Sequence, residues 1–244
     1  MRRFGLIGFP LTQSFSRNYF TKKFEAEKIQ DCRYDLFPLE SIYEIDELVK
    51  NHPGLEGLNV TIPYKQLVLD LLHDRSRLPH GLEACNCISI QNGKLIGYNT
   101  DVIGFENTLK PLLKDEHQQA LVLGTGGAAK AVIYVLKKLG IPFSIVSRTP
   151  VEHGSYLYSQ LNTEIVRNHK VIINCTPLGM YPHVDTAPPI PYNGIGSQHL
   201  LYDLVYNPPE TMFLLYGKER GAVAKNGWEM LRLQAEASWE IWNS

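Results

Sequence analysis

The segment Ala120-Leu121-Val122-Leu123-Gly124-Thr125-Gly126-Gly127-Ala128-Ala129 constrains this chain more than any other. Its apolar start reads as a buried strand, Gly124 to Ala129 fits the pattern G-x-G-x-x-A, and Ala129 to Leu139 reads as a helix closed by Gly140. Each small residue has a physical task in such a turn. Gly124 permits the tight bend, Gly126 lets the backbone approach a pyrophosphate, and Ala129 lets the helix lie close on the strand. Free N–H groups at the helix start then face the phosphates. A ligand-free βα turn can share the pattern, but a strand before it and a second strand at Pro142 to Ser147 favour a dinucleotide.

The second strand selects among dinucleotides. An NAD site carries an acid at the end of that strand to bind the ribose 2′-hydroxyl. Here the strand ends in Ser147-Arg148-Thr149, with no acid. A guanidinium fork flanked by hydroxyls suits a 2′-phosphate, so the cofactor expected is NADP. A solvated surface arginine is the plainer alternative for Arg148.

The rest of the chain repeats the alternation of strand and helix. Strands are expected at Phe4–Gly8, Arg33–Pro38, Leu55–Thr61, Cys87–Gln91 and Lys94–Tyr98, the last two joined by an Asn92-Gly93 hairpin turn. Helices are expected at Asn18–Lys28, Leu39–Asn51 and Tyr64–Leu72. A second series follows Asp101: a helix over Val102–Lys114, the glycine-loop unit, strands at Val171–Cys175 and Leu200–Val205, and a long helix over Trp228–Trp242. This pattern predicts an α/β fold of two domains with a cleft between them. The expected division is an N-terminal α/β domain with a mixed sheet over 1–101 plus 218–244, and a Rossmann-like dinucleotide-binding domain over 102–217.

Composition narrows the partners. The chain has 244 residues, 44% hydrophobic and 20% charged, ordinary proportions for a globular protein. Its net charge is −1 with no polybasic run, which argues against nucleic acid. No stretch approaches the length of a membrane span, and the first residues lack a signal-like apolar run, so the expected location is cytoplasmic. Cys85 and Cys87 stand at C-x-C spacing without a second pair, so no zinc site or other metal site is expected and all four cysteines read as reduced.

Three polar segments of the first domain fall near strand ends, where ligands of α/β sheets bind. They are Gly8-Phe9-Pro10 with Ser14 and Ser16, Asn59 to Lys65, and Asn86 with Asn99-Thr100-Asp101. Each has a plainer reading: Ser14 and Ser16 as helix caps or loop hydroxyls, Lys65 as a solvated lysine, and Asp101 as the cap of the following helix.

Together these segments resemble the shikimate dehydrogenase family, from the first strand to the last helix. The residues that carry the resemblance are Gly8-Phe9-Pro10 with Ser14-x-Ser16, Asn59-Val60-Thr61-Ile62-Pro63-Tyr64-Lys65, Asn86, Asn99-Thr100-Asp101 and the glycine loop. Further on, Asn174 to Met180, Asp203 to Pro208, and Gly227 to Leu231 with Gln234-Ala235 continue it. The resemblance implies NADPH-dependent reduction of 3-dehydroshikimate to shikimate, on the way to chorismate and the aromatic amino acids. It implies that Ser14 and Ser16 bind the substrate carboxylate, with Tyr206 nearby, and that Thr61, Asn86 and Gln234 hold ring hydroxyls. Lys65 and Asp101 would form the catalytic pair. Gly124, Gly126, Gly127 and Ala128 would line the pyrophosphate, Ser147, Arg148 and Thr149 the 2′-phosphate, and Thr176, Met180 and Gly227 would neighbour the cofactor. With Tyr206 and Gln234 on the substrate side, the last helix would pack on the first domain.

The chain departs from the family pattern in places. Gln13 and Arg17 replace the histidine and proline of the first loop, Cys87 replaces a threonine, and Pro150-Val151-Glu152 lacks a basic residue often found there. A broader quinate/shikimate dehydrogenase using NAD or NADP, and a non-catalytic shikimate-binding sensor, are the alternatives. A tetrahydrofolate dehydrogenase would not explain Ser14-x-Ser16 or Tyr206-Asn207-Pro208. The protein is expected as a monomer or homodimer.

Overall fold

A computed structural model of the chain describes residues 1–11, 14–150 and 155–244. Expectations concerning Gln13, Val151 and Glu152 therefore lie outside the described residues. The chain divides into two compact units, Met1–Ile103 with Arg232–Ser244, and Gly104–Leu231.

The first unit contains β1 (Arg2–Gly8), α1 (Phe15–Ala26), β2 (Cys32–Pro38), α2 (Ile45–Asn51), β3 (Leu55–Val60), α3 (Tyr64–Leu67), β4 (Cys87–Gln91) and β5 (Lys94–Tyr98). Its sheet runs β2-β1-β3-β4-β5. β1 pairs in parallel with β2 and β3, whereas β4 pairs antiparallel with β3 and β5, so the sheet is mixed. Asn92 and Gly93 both have positive φ, 52° and 74°, as a two-residue hairpin of the primed type requires.

One face of this sheet is closed by aromatic side chains. Phe4, Phe20, Phe24, Tyr34 and Trp242 form a buried cluster with Ala235, and Trp239 packs against it. The Phe20 and Tyr34 rings stack at 4.6 Å, and Phe4 stacks on Trp242 at 4.9 Å. The indole N–H of Trp242 donates to the carbonyl of Ile88 at 2.9 Å. Gly57 makes room for that indole, since a Cβ there would stand 2.2 Å from Trp242 Nε1. The C-terminal residues are thus packed into the first sheet although they are remote in sequence.

The chain enters the second unit within α4 (Asp101–Leu109). There follow β6 (Ala120–Leu123), α5 (Gly127–Lys138), β7 (Phe143–Ser147), β8 (Ser155–Leu157), α6 (Thr163–Asn168), β9 (Val171–Asn174), β10 (Leu200–Asp203), α7 (Met212–Lys218), β11 (Val223–Lys225) and α8 (Trp228–Trp242). The sheet order is β11-β10-β9-β6-β7-β8, and every pair is parallel. β6, β9 and β10 are fully buried, which is why each begins as an apolar run in the sequence. The order reverses between β6 and β9, the switch point at which such sheets bind ligands.

The structure corrects several expectations. α1 begins at Phe15 and not at Asn18, because Ser14 caps it. The stretch read as one helix over Leu39–Asn51 is a short 3₁₀ turn, Ile42–Glu44, followed by α2. β8, α6, α7 and β11 were not anticipated. The second domain boundary also differs: residues 218–231 lie in the second unit and only Arg232–Ser244 in the first. The reason is pairing, since Val223–Lys225 lies beside β10 as the edge strand of the second sheet.

Candidate active site

The first unit gathers its polar groups at the ends of β3 and β5. Lys65 lies on α3, one turn beyond β3, and Asp101 opens α4. Lys65 Nζ stands 2.6 Å from Asp101 Oδ2, in a pair whose side chains are 16% and 8% exposed. The other carboxylate oxygen, Oδ1, accepts from Asn86 Nδ2 at 2.9 Å. Asp101 does not cap its helix. Asn99 takes that task, its Oδ1 accepting from the Val102 N–H at 3.2 Å, and this leaves the Asp101 carboxylate to the lysine.

Asn86 is held in turn. Its Oδ1 accepts from the Thr100 N–H at 2.6 Å, and its Nδ2 lies 3.0 Å from Thr100 Oγ1 and 3.4 Å from Gln234 Oε1. Thr100 Oγ1 also lies 3.3 Å from Gln234 Oε1, so α8 brings Gln234 to Asn86 and Thr100. Thr61, just past β3, is beside β1, because a Cβ on Gly8 would meet Thr61 Cγ2 at 2.5 Å.

Ser14 is the N-cap of α1, its Oγ accepting from the Arg17 N–H at 3.4 Å. Capping occupies an oxygen lone pair and leaves the hydroxyl proton available, so cap and ligand donor are compatible roles. Ser16 is buried. Arg17 is exposed.

The second unit holds the remaining residues. Gly124 has φ +105°, a conformation that favours glycine, and a Cβ there would lie 3.1 Å from Thr176 Cγ2. The glycine turn and the loop after β9 are therefore in contact, which places Thr176 beside Gly124. α5 starts at Gly127 with no side-chain cap, and a Cβ added to Gly126 would meet nothing within 4 Å. A helix start with no side-chain cap, beside a glycine with open space where a Cβ would stand, fits a pyrophosphate. At the end of β7, Arg148 and Thr149 are exposed, whereas Ser147 is buried and donates its hydroxyl to the Thr149 carbonyl. Arg148 and Thr149 thus face solvent as a 2′-phosphate would require, and Ser147 shapes the turn that carries them. Met180 is 42% exposed. Gly227 cannot carry a side chain, since a Cβ would lie 2.2 Å from the Leu204 carbonyl oxygen. Tyr206 is half-buried in this unit, and burial pushes its phenol above the ordinary range.

Sequence reasoning missed a second polar cluster beneath Thr176. Asp203 is fully buried and accepts from Asn174 Nδ2 at 2.9 Å, from the Val205 N–H at 3.0 Å and from Thr211 Oγ1 at 2.5 Å. Burial raises its carboxyl to about 6 against the opposing pull of these donors. Asn174 Oδ1 takes hydrogen bonds from the Thr176 N–H and hydroxyl, at 3.0 and 2.6 Å. The available signal was an Asn and an Asp ending the strands Val171–Asn174 and Leu200–Asp203, which are otherwise apolar except for Tyr202. The four cysteines are free thiols, and burial raises Cys85 to about 12 and Cys87 and Cys175 further still. Among the described residues no helix is long and apolar enough to cross a membrane.

A glycine turn opening a helix at the switch point of a parallel sheet, on a chain whose other unit presents an ion-paired lysine, defines an α/β oxidoreductase that uses a dinucleotide. Comparison with known proteins narrows the class. Residues 6–88 match the family model for the shikimate dehydrogenase substrate binding domain. A shikimate dehydrogenase (NADP(+)) of Methanococcus maripaludis is 34% identical, over 98% of this chain and 90% of that protein. The structure superposes on the shikimate dehydrogenase of Aquifex aeolicus with a TM-score of 0.85 at 30% identity, covering 100% of this chain and 92% of that one. The shikimate 5-dehydrogenase of Thermus thermophilus, solved with NADP(H) and shikimate, gives a TM-score of 0.85 at 26% identity, over 99% and 93% of the two chains. The chain belongs to the shikimate dehydrogenase family.

Proposed function

We propose that the protein catalyses the reversible NADPH-dependent reduction of 3-dehydroshikimate to shikimate. The observation that carries this reading is the Lys65–Asp101 pair, 2.6 Å apart and braced by Asn86. When bound, NADPH supplies a hydride to the ketone carbon and NADP⁺ removes one from the alcohol. Negative charge then develops on the oxygen of the ketone and must be stabilised and protonated. The Lys65 ammonium does both. Asp101 orients it, and Asn86 holds the carboxylate in the rotamer that does so.

The other first-unit residues seat the substrate. Ser14 and Ser16 donate to its carboxylate, while Thr61, Asn86 and Gln234 take the ring hydroxyls. Tyr206 is assigned to the carboxylate end. In the second unit, the N–H groups around Gly124, Gly126, Gly127 and Ala128 would hold the pyrophosphate, and Arg148 with Thr149 the 2′-phosphate. Ser147 would fix that turn, and Thr176, Met180 and Gly227 would border the cofactor. This reading is supported by the relatives named for shikimate and NADP(+), and by the absence of an acid after Val146.

Steady-state assays with shikimate or quinate, and with NADP⁺ or NAD⁺, test the proposal through nucleotide absorbance. The expected result is turnover of shikimate with NADP⁺ well above every other combination. Comparable rates with quinate and NAD⁺ would establish the broader dehydrogenase instead. Binding of shikimate without any turnover would establish a sensor.

A further inference from the structure

The buried cluster of Asp203, Asn174 and Thr211 has no part in the reaction as described, yet its hydrogen bonds run in one sense only. All three residues are 0% exposed. The Val205 N–H donates to Asp203 Oδ1 at 3.0 Å, so the Asn174 atom 2.9 Å from the same oxygen is the amide nitrogen. At the other end of the amide, the Thr176 N–H can only donate, and it fixes the Asn174 oxygen at 3.0 Å. Two backbone N–H groups thus set the direction of the Asn174 amide. Its second hydrogen goes to the Leu178 carbonyl at 3.3 Å. Thr211 Oγ1 accepts from the Leu214 N–H at 3.4 Å as the cap of α7, and gives its own proton to Asp203 Oδ2 at 2.5 Å.

The same direction continues into Thr176. Its hydroxyl lies 2.6 Å from Asn174 Oδ1, an acceptor, and so donates there. It accepts in turn from the Leu178 N–H at 3.3 Å. With the hydroxyl held on that side, the methyl is the group turned to the glycine turn: a Cβ on Gly124 would stand 3.1 Å from Thr176 Cγ2. Rotation of Thr176 about its Cα–Cβ bond would move the methyl off Gly124 and leave both hydroxyl bonds unmade.

We propose that Asp203 is a positioning residue for the dinucleotide, which acts through Asn174 to keep the Thr176 methyl packed on Gly124 and the glycine turn in the shape that receives the pyrophosphate. The inference rests on the reading of that turn as the pyrophosphate seat. Having no exposed surface, Asp203 acts only through its neighbours.

A double-mutant cycle on the intact enzyme tests it. In Asp203→Ala the Asn174 amide loses its anchor, and the KM for NADP⁺ should rise about tenfold, within the range of couplings inside one hydrogen-bond network. The KM for shikimate, and kcat at saturating nucleotide, should not change. Asp203→Asn keeps an oxygen for Val205 and Asn174, and should restore most of the lost affinity. In Thr176→Ser, which lacks the methyl, the KM for NADP⁺ should already be raised, and adding Asp203→Ala should raise it no further. An unchanged KM for NADP⁺ in Asp203→Ala, an equal penalty in both backgrounds, an equal penalty from Asp203→Asn, or a parallel rise in the KM for shikimate would each overturn the proposal. If Asp203→Ala does not fold, Asn174→Ala carries the same expectations one link further along. Gly126→Val tests the underlying reading separately, since a Cβ there meets no protein atom within 4 Å and the side chain obstructs only a ligand. An unaltered KM for NADP⁺ in that variant would remove the pyrophosphate from the turn, and the inference with it.

Discussion

Asn86 Nδ2 lies 2.9 Å from Asp101 Oδ1, on the side of the carboxylate opposite Lys65. Asn86 immediately precedes β4 and Asp101 opens α4; the Thr100 N–H donates to Asn86 Oδ1 and Asn86 Nδ2 donates to Thr100 Oγ1, which ties the two segments together. The carboxylate is therefore held from both sides, by the Lys65 ammonium and by the Asn86 amide.

Removing the charge at Lys65 separates chemistry from binding. Lys65→Met should leave shikimate affinity within a few-fold while cutting turnover by about 10³, the scale of positioned acid–base help. Titration calorimetry for binding and absorbance for turnover make the comparison. Turnover close to that of the parent enzyme would remove Lys65 from the mechanism.

At the nucleotide, the prediction concerns discrimination. Arg148 is the exposed cation at the end of β7. Arg148→Ala should raise the KM for NADPH by roughly 10–100-fold, as expected for a lost charge-assisted hydrogen bond, and should barely move that for NADH. Equal effects on the two nucleotides would show that Arg148 does not read the 2′-phosphate.

Two buried histidines give the second unit a dependence on pH. His117 Nδ1 accepts from the Lys114 N–H at 3.0 Å, and His199 Nδ1 accepts from the Gly196 N–H at 3.1 Å. Protonation would place a second hydrogen against each of these donors. Burial accordingly lowers both pKa values below the ordinary 6.5. The folded state thus prefers the neutral rings, and the unfolded chain binds protons first as pH falls. Their contribution to stability is complete above about pH 6.5 and is lost as pH drops through the lowered folded values. Thermal unfolding followed between pH 7.5 and pH 5 should show the two histidines pulling the midpoint down as pH falls. His117→Gln with His199→Gln should raise the midpoint at pH 5 relative to that at pH 7.5, compared with the parent protein. Asp203, raised to about 6, works in the opposite sense, since its charged form is the one disfavoured by burial. A midpoint that does not depend on the histidines would refute the assignment.

Much of this site was legible before any coordinates. The glycine turn could be read because strand, turn and helix are contiguous and each small residue answers a local steric demand. The hairpin at Asn92-Gly93 could be read for the same reason, through two residues that tolerate positive φ. Lys65, Asn86 and Asp101 could be nominated from residue type near strand ends and from family resemblance. Their capping roles depend on neighbours: Asn99 and not Asp101 accepts from the Val102 N–H, whereas Ser14 is the cap of α1. The edge elements β8 and β11 were invisible because three residues carry too little periodicity to register.

The sequence by itself determined the local elements with strong periodicity, the type of the second unit and the chemistry on offer. Those properties depend on residues close together in the chain, where sterics and amphipathic spacing act directly. The tertiary structure alone decided which polar groups meet. Arg232–Ser244 joins the first sheet because Gly57 leaves a gap that Trp242 fills, and this docking carries Gln234 and Ser238 to Asn86, Thr100 and Asn59. Residues 218–231 stay with the second sheet because the unpaired edge of β10 needs a strand. Both outcomes turn on complementary surfaces far apart in sequence, and no pattern within a short window contains that information.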